Sequence, residues 1–224
     1  MKLLGIWLLF VPLCGGCVAV SQAPVRSTNS EEQPFPYGKA EYEAERVKDV
    51  MDLIRRGDRY RADCVGRFEN QAPLSIVEHF GREAKAWYRV VLEREPSNAY
   101  AFLCIGYIDL ILGRSAIDRT ARDNFFSSAM SRFREAQENR PGYADARLYM
   151  AEVQALRGEY TEAEKNLQLI LNSSIENSDI HSWMAYILIQ TKQKAEAQKH
   201  IVRAIELDNP SMAAQWSRRN QQAG

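Results

Sequence analysis

The sequence carries no surplus of charge: 29 Lys and Arg are balanced by 29 Asp and Glu, with only three histidines. The basic excess that phosphate-backbone binding requires is missing, so nucleic acid is not an expected partner. Cysteine is scarce, four in 224 residues with two among the first seventeen, which excludes a disulfide-dense scaffold. Twelve glycines and eight prolines are too few for a collagen-like chain, and 46% hydrophobic residues are too many for a wholly disordered one. Phosphate-cradling loops of the GxxxxGK or GxGxxG type, the GxSxG nucleophile turn and the HExxH zinc helix are all absent. His79, His181 and His200 stand in no metal-ligand spacing. No metal or other cofactor is therefore expected, and the chain reads as a non-enzyme whose scattered Asp and Glu are solvated helix faces. An apolar run of about 20 residues, the length that spans a bilayer, is also missing.

What the chain does have begins at its start. After Met1-Lys2, the stretch Leu3–Leu13 is apolar apart from Gly5 and Pro12, the length of a secretory signal core. Leu13-Cys14-Gly15-Gly16-Cys17 follows. Small residues before a cysteine make this segment resemble the lipobox of bacterial lipoproteins, although Cys14 stands where that family usually has Leu. The resemblance implies a signal peptide over 1–16 and a diacylglycerol on Cys17, with several acyl chains giving stable anchoring. Val18 rather than Asp after the cysteine implies an outer-membrane lipoprotein facing the periplasm. The other reading is ordinary secretion, with cleavage after Ala19 or Ala23. Loss of Lys2 leaves 28 basic against 29 acidic residues, a mature net charge of −1. Residues 17–38 read as lipid anchor and tether, rich in Ser, Pro, Gln and Glu and reaching at most about 70 Å. The tether ends in Pro34-Phe35-Pro36-Tyr37-Gly38, whose aromatics are expected to dock on the first helices. Since the periplasm permits disulfides, Cys64 and Cys104 are a candidate pair, with two free thiols as the alternative.

From residue 39 onward the apolar periodicity is helical, and self-comparison exposes a repeat. Met150-Ala151 returns as Met184-Ala185, and Ala163, Leu167 and Ile170 return as Ala197, Ile201 and Ala204, each 34 residues on. The same three positions are Ala129, Phe133 and Ala136 one period earlier, and Ala84, Tyr88 and Val91 a further 45 residues back. One repeat thus carries eleven extra residues, expected as an insertion at 114–127. This pattern resembles the tetratricopeptide repeat (TPR). Phe102, Ile105-Gly106 and Gly113 open one unit, and Ala129, Phe133, Ala136 and Pro141 close it. Ala146, Met150-Ala151, Gly158-Glu159-Tyr160, Ala163, Leu167 and Ile170 form the next. Met184-Ala185, Leu188, Ala197, Ile201, Ala204 and Pro210 form the last. Departures are Asp109, Gln154 and Leu188 in place of a first-helix aromatic, and Lys192 in place of the turn glycine.

The resemblance implies an all-α helix-pair solenoid of about three to four repeats with a C-terminal capping helix. The expected segments are a divergent first repeat over 39–97, repeats over 98–141, 142–177 and 178–210, and a cap over 211–224. In the first repeat a helix ending near Gly57 and a long connection over 57–73 are expected. Small residues at Gly106, Ala151, Ala163, Ala185 and Ala197 would let helices approach, with Phe133, Leu167 and Ile201 filling between them.

In this family the first helices line a groove. Helical spacing puts Tyr100, Leu103, Tyr107 and Leu110 on that face, then Asp145, Leu148, Glu152 and Ala155, then Asp179, Ser182, Tyr186 and Ile189. Tyr100, Leu103, Tyr107, Leu148, Glu152, Tyr186 and Ile189 are the candidate partner-binding residues, unless the 57–73 connection, the tether or the tail fills the groove. Arg114, Arg119, Arg122, Arg132 and Arg134 make the stretch around the insertion basic, with Asp118, Asp123 and Glu135 compensating nearby. The function expected is an envelope-anchored interaction scaffold or adaptor for protein or peptide partners, in pilus, secretion or cell-wall assembly. The alternative is a transport accessory or small-ligand carrier similar to the T component of TRAP transporters, with a closed cavity lined by Tyr100, Tyr107 and Tyr186.

Overall fold

A computed structural model describes residues 39–208. The expected signal peptide, Cys17, the tether and the cap at 211–224 lie outside the described residues. The chain divides into units Met1–Pro34 and Phe35–Gly224, and the described residues belong to the second.

Local sequence sets the helix ends. Four first turns are closed by a short polar side chain: Asp49 accepts from the Met51 amide, Asn98 from Ala101, Asp118 from Ala121 and Asn177 from Ile180. Among the described residues the helices so bounded are α1 (Lys39–Arg46), α2 (Val50–Glu69), α3 (Leu74–Arg94), α4 (Ala99–Ser115), α5 (Arg119–Asn139), α6 (Ala144–Arg157), α7 (Tyr160–Leu171), α8 (Ser178–Gln190) and α9 (Lys194–Asp208). Gly158 ends α6 in the left-handed conformation at φ +82°. One period later Lys192 occupies the same turn at φ +65°, so the expected substitution keeps the geometry and bears its strain.

The helices pair as α2/α3, α4/α5, α6/α7 and α8/α9, and each pair stacks on the next through α3 on α4, α5 on α6 and α7 on α8. First helices also touch directly, α2 on α4, α4 on α6 and α6 on α8. The short α1 packs on α3, where the Arg94 guanidinium donates to the carbonyls of Ala44, Glu45, Val47 and Lys48. Among the described residues no helix is long and apolar enough to cross a membrane.

Two sequence expectations are corrected here. Gly57 does not end a helix, and no long connection spans 57–73: α2 runs through both to Glu69. A Cβ on Gly57 would stand 2.8 Å from the Tyr88 ring, so this glycine serves close packing of α2 on α3. The eleven extra residues are not a looped insertion at 114–127 either. α5 begins ten residues before Ala129, whereas α7 begins three before Ala163, a difference of two helical turns. α4 and its turn take up the rest, so the second hairpin is elongated. Gly113 lies inside α4, where a Cβ would meet the Phe126 ring at 2.5 Å. Phe126 is buried and Phe125 half-buried, both within α5.

The core follows the repeat. Tyr88, Phe133, Leu167 and Ile170 are fully enclosed between neighbouring helices, each contributing roughly 1.5–3 kcal/mol by leaving water. Ala163 and Ala197 are buried where second helices meet first helices, as their size requires.

Candidate functional site

The first-helix face is built from polar ties as well as packing. On its N-terminal side Asp58 of α2 accepts from the hydroxyls of Tyr88 (α3) and Tyr100 (α4), each at 2.7 Å. Arg61 closes the cluster, donating to Asp58 at 3.2 Å and to the Tyr88 hydroxyl at 3.3 Å. Burial, joined by hydrogen bonding to Asp58, pushes both tyrosine hydroxyls above their ordinary range. The Cys104 thiol lies against both hydroxyls and is pushed by burial up to about 11. Cys64 is pushed up to about 11 by the same cause and donates to the Val77 carbonyl at 3.5 Å. The candidate Cys64–Cys104 disulfide is not formed: both are free thiols, buried and protonated at neutral pH.

Further along, Tyr107 of α4 stacks on Tyr149 of α6 at 4.8 Å, and Tyr149 on Phe133 at 5.6 Å. Glu152 of α6 then joins three first helices. It accepts from Arg114 of α4 at 2.9 Å and from Trp183 of α8. Burial outweighs those donors and lifts the Glu152 carboxyl to about 7. Behind this face Asp109 is buried, bound by Lys85 Nζ and Ser128 Oγ at 2.7 Å each.

The seven residues expected to line a groove therefore divide. Leu103, Leu148 and Glu152 are buried, Tyr100 and Tyr107 are half-buried, and Tyr186 and Ile189 are 37% and 48% exposed. The cause is the direct packing of α2, α4 and α6, which turns the expected groove into a helix–helix seam. The 57–73 segment does not fill it as a connection, because most of it is α2. Tyr100, Tyr107 and Tyr186 each belong to a different contact, so they do not jointly enclose the cavity that a carrier would need. The face opens at α8, beyond which no further first helix is described. There Trp183 meets Tyr186 edge-on at 5.6 Å, and Tyr160 stands 6.5 Å from Tyr186. Trp183, four residues after Asp179 and three before Tyr186, shares their helical face, a position the expected set gave to Ser182. The basic stretch is largely spent internally: Arg114 on Glu152, Arg122 on the carbonyls of Ala116 and Ile117, and Arg132 on Glu135.

A second polar cluster ties α8 to α9. His181 Nδ1 and His200 Nδ1 are 2.7 Å apart, and His181 Nε2 is 2.7 Å from Glu176. Arg203 grips Glu176 with two bonds of 2.7 Å and, with His181, holds its carboxyl down to about 2. Burial and the His181 charge push His200 below the ordinary histidine range. Nothing in the spacing of these histidines, nineteen residues apart on different helices, announced their contact. Among the described residues no group of three or more His, Cys, Asp or Glu is placed to hold a metal ion.

Comparison with known proteins agrees with this architecture. A family model described as the Tetratricopeptide repeat protein 21 second ARM domain matches residues 119–192. A thermophilic TPR protein of Thermus thermophilus superposes with a TM-score of 0.54 at 21% identity, covering 77% of this chain and 98% of its own. The MamA protein gives a TM-score of 0.36 at 17% identity, over 71% of this chain and 91% of its own. No curated protein matches the sequence. The repeated helix pairs, their small-residue contacts and the Thermus likeness together give the chain the fold of a TPR-type helix-pair solenoid.

Proposed function

We propose that this protein is a non-enzymatic scaffold of the bacterial cell envelope, anchored through lipidated Cys17 and facing the periplasm. It binds a protein or peptide partner during assembly of an envelope machine such as a pilus, secretion or cell-wall complex. The anchor rests on the apolar run Leu3–Leu13 and the small residues before Cys17. The scaffold role rests on a helix-pair solenoid whose first-helix face stands open at α8, a surface suited to protein recognition.

The observation that carries the binding role is the surface of α8, where Tyr186 and Ile189 stand exposed beside the half-buried Trp183. Aromatic rings next to an aliphatic residue supply rigid contact area at low entropic cost, and Tyr and Trp dominate such interfaces. Anchoring adds to affinity by holding the scaffold where its partners are concentrated.

Crosslinked pull-downs from envelopes compare wild type, Cys17→Ser and Tyr186→Ala/Ile189→Ala. Recovery of one envelope complex with wild type, lost with the α8 double variant while its circular dichroism is unchanged, is expected. Loss only with Cys17→Ser would assign the contacts to the anchor alone, and equal recovery by all three would end the reading.

A further inference from the structure

A pocket of about 380 Å³ opens between α1, α2 and α3. That volume suits a small molecule. The helical spacing of α2 aligns Asp52, Arg55, Arg56, Arg59 and Tyr60 along one wall, and Glu43 of α1 and Trp87 of α3 complete it. The Arg94 bonds to the last carbonyls around α1 hold the Glu43 wall in place.

The charges of this pocket are not internally settled. Arg56 donates to Asp52 at 3.0 Å, and its guanidinium lies 5.3 Å from the centre of the Trp87 ring. Arg55 reaches Asp49 and Asp52 only at 3.5 and 3.6 Å, through one nitrogen. Arg59 has no ion pair among the described residues. Trp87 is 1% exposed, and its indole N–H is the one buried side-chain donor without an acceptor among the described residues. That N–H is closed off from solvent, so Trp87 gives the pocket a ring wall rather than a donor. Adjacent guanidiniums with spare donors on one wall are complemented by one kind of guest, an anion with several acceptor oxygens.

We propose that this pocket binds a small organic oxyanion, a carboxylate or phosphate group held by Arg55 and Arg59. The carboxylates of Glu43 and Asp52 oppose a polyanion. They favour a single anionic group on a neutral, hydroxylated body, with Tyr60 and Arg56 beside it. Such a site lies on the first hairpin and α1, separate from the α8 surface, so the two readings stand or fall independently.

Isothermal titration of the full-length chain at low salt uses gluconate, glucose 6-phosphate and neutral glucose as probes. Binding of either anion but not glucose is expected, and the arm that responds identifies carboxylate or phosphate as the preferred group. Arg55→Gln/Arg59→Gln, both exposed positions, should weaken that binding about tenfold or more with the helical signal intact. Affinity of both anions weaker than about 10 mM, equal binding of glucose, or undiminished binding by the double arginine variant would overturn the proposal.

Discussion

Glu152 is a carboxyl whose ionisation the fold opposes. Its carboxyl is buried between α4, α6 and α8 and titrates near 7, against an ordinary 4.5. A carboxyl raised in the folded state favours folding fully below its unfolded value, and that contribution is lost as pH rises through 7. Glu152→Gln keeps an oxygen for Arg114 and Trp183 but cannot ionise. The variant should therefore gain on the order of 2 kcal/mol relative to wild type between pH 5 and pH 8, measured by urea denaturation at each pH. A difference that does not change with pH would show that Arg114 fully compensates the charge. Sequence spacing put Glu152 on the right helical face, but it could not report that neighbouring first helices close over it. The same limit hid the Asp58–Tyr88–Tyr100 cluster. Its members are 30 and 42 residues apart, and only the repeat geometry brings them together.

Within elements, glycine placement separates close packing from turns. A Cβ on Gly106 would stand 2.7 Å from the Phe133 ring, whereas a Cβ on Gly66 would meet nothing within 4 Å. Both sit inside helices, where alanine gains roughly 0.5–1 kcal/mol over glycine. Gly66→Ala should realise that gain. Gly106→Ala should lose about 1–3 kcal/mol to overpacking, so the two substitutions should move the unfolding temperature in opposite directions. A stabilised Gly106→Ala would mean that α4 and α5 part without cost. The repeat period made Gly106 legible as a packing glycine from sequence. Gly57 was misread because a glycine beside a polar stretch reads as a helix end, whereas its actual neighbour, Tyr88, belongs to the facing helix. Asp109 was visible as a departure from the motif, yet its partner Lys85 lies in the preceding hairpin and carries no local signature.

Across the described stack, stability is shared between neighbouring hairpins and need not be uniform. The core around α2 to α4 encloses Trp87 and Tyr88 with long helices, while α8 and α9 are shorter and leave Val202 and Ile205 exposed. The last hairpin also depends on a contact that acid breaks. At 2.7 Å, one of the two Nδ1 atoms of His181 and His200 must accept the proton that the other donates. With both rings protonated, neither can accept. His200 is held below its ordinary 6.5 by burial first and by His181 second. A histidine depressed in this way contributes stability above its unfolded value, and that stability is lost as pH falls from about 6.5 through the folded value. Of the other charges around the pair, Glu176 titrates near 2 and Glu196 below its ordinary range. Arg203 and Lys199 oppose a second positive charge there, while Glu164 of α7 favours it. Amide exchange protection, corrected for the intrinsic rate, should thus fall in α8 and α9 between pH 7.5 and pH 5 while α2 to α5 hold theirs. In His200→Gln that selective fall should vanish. Loss of protection in all hairpins together would mean that the stack opens as one unit. Unchanged protection in α8 would mean that Arg203 and Glu176 hold the hairpin without the histidines. Selective opening would place the acid-sensitive joint on the helix that carries Trp183 and Tyr186, so partner binding at that face should oppose it.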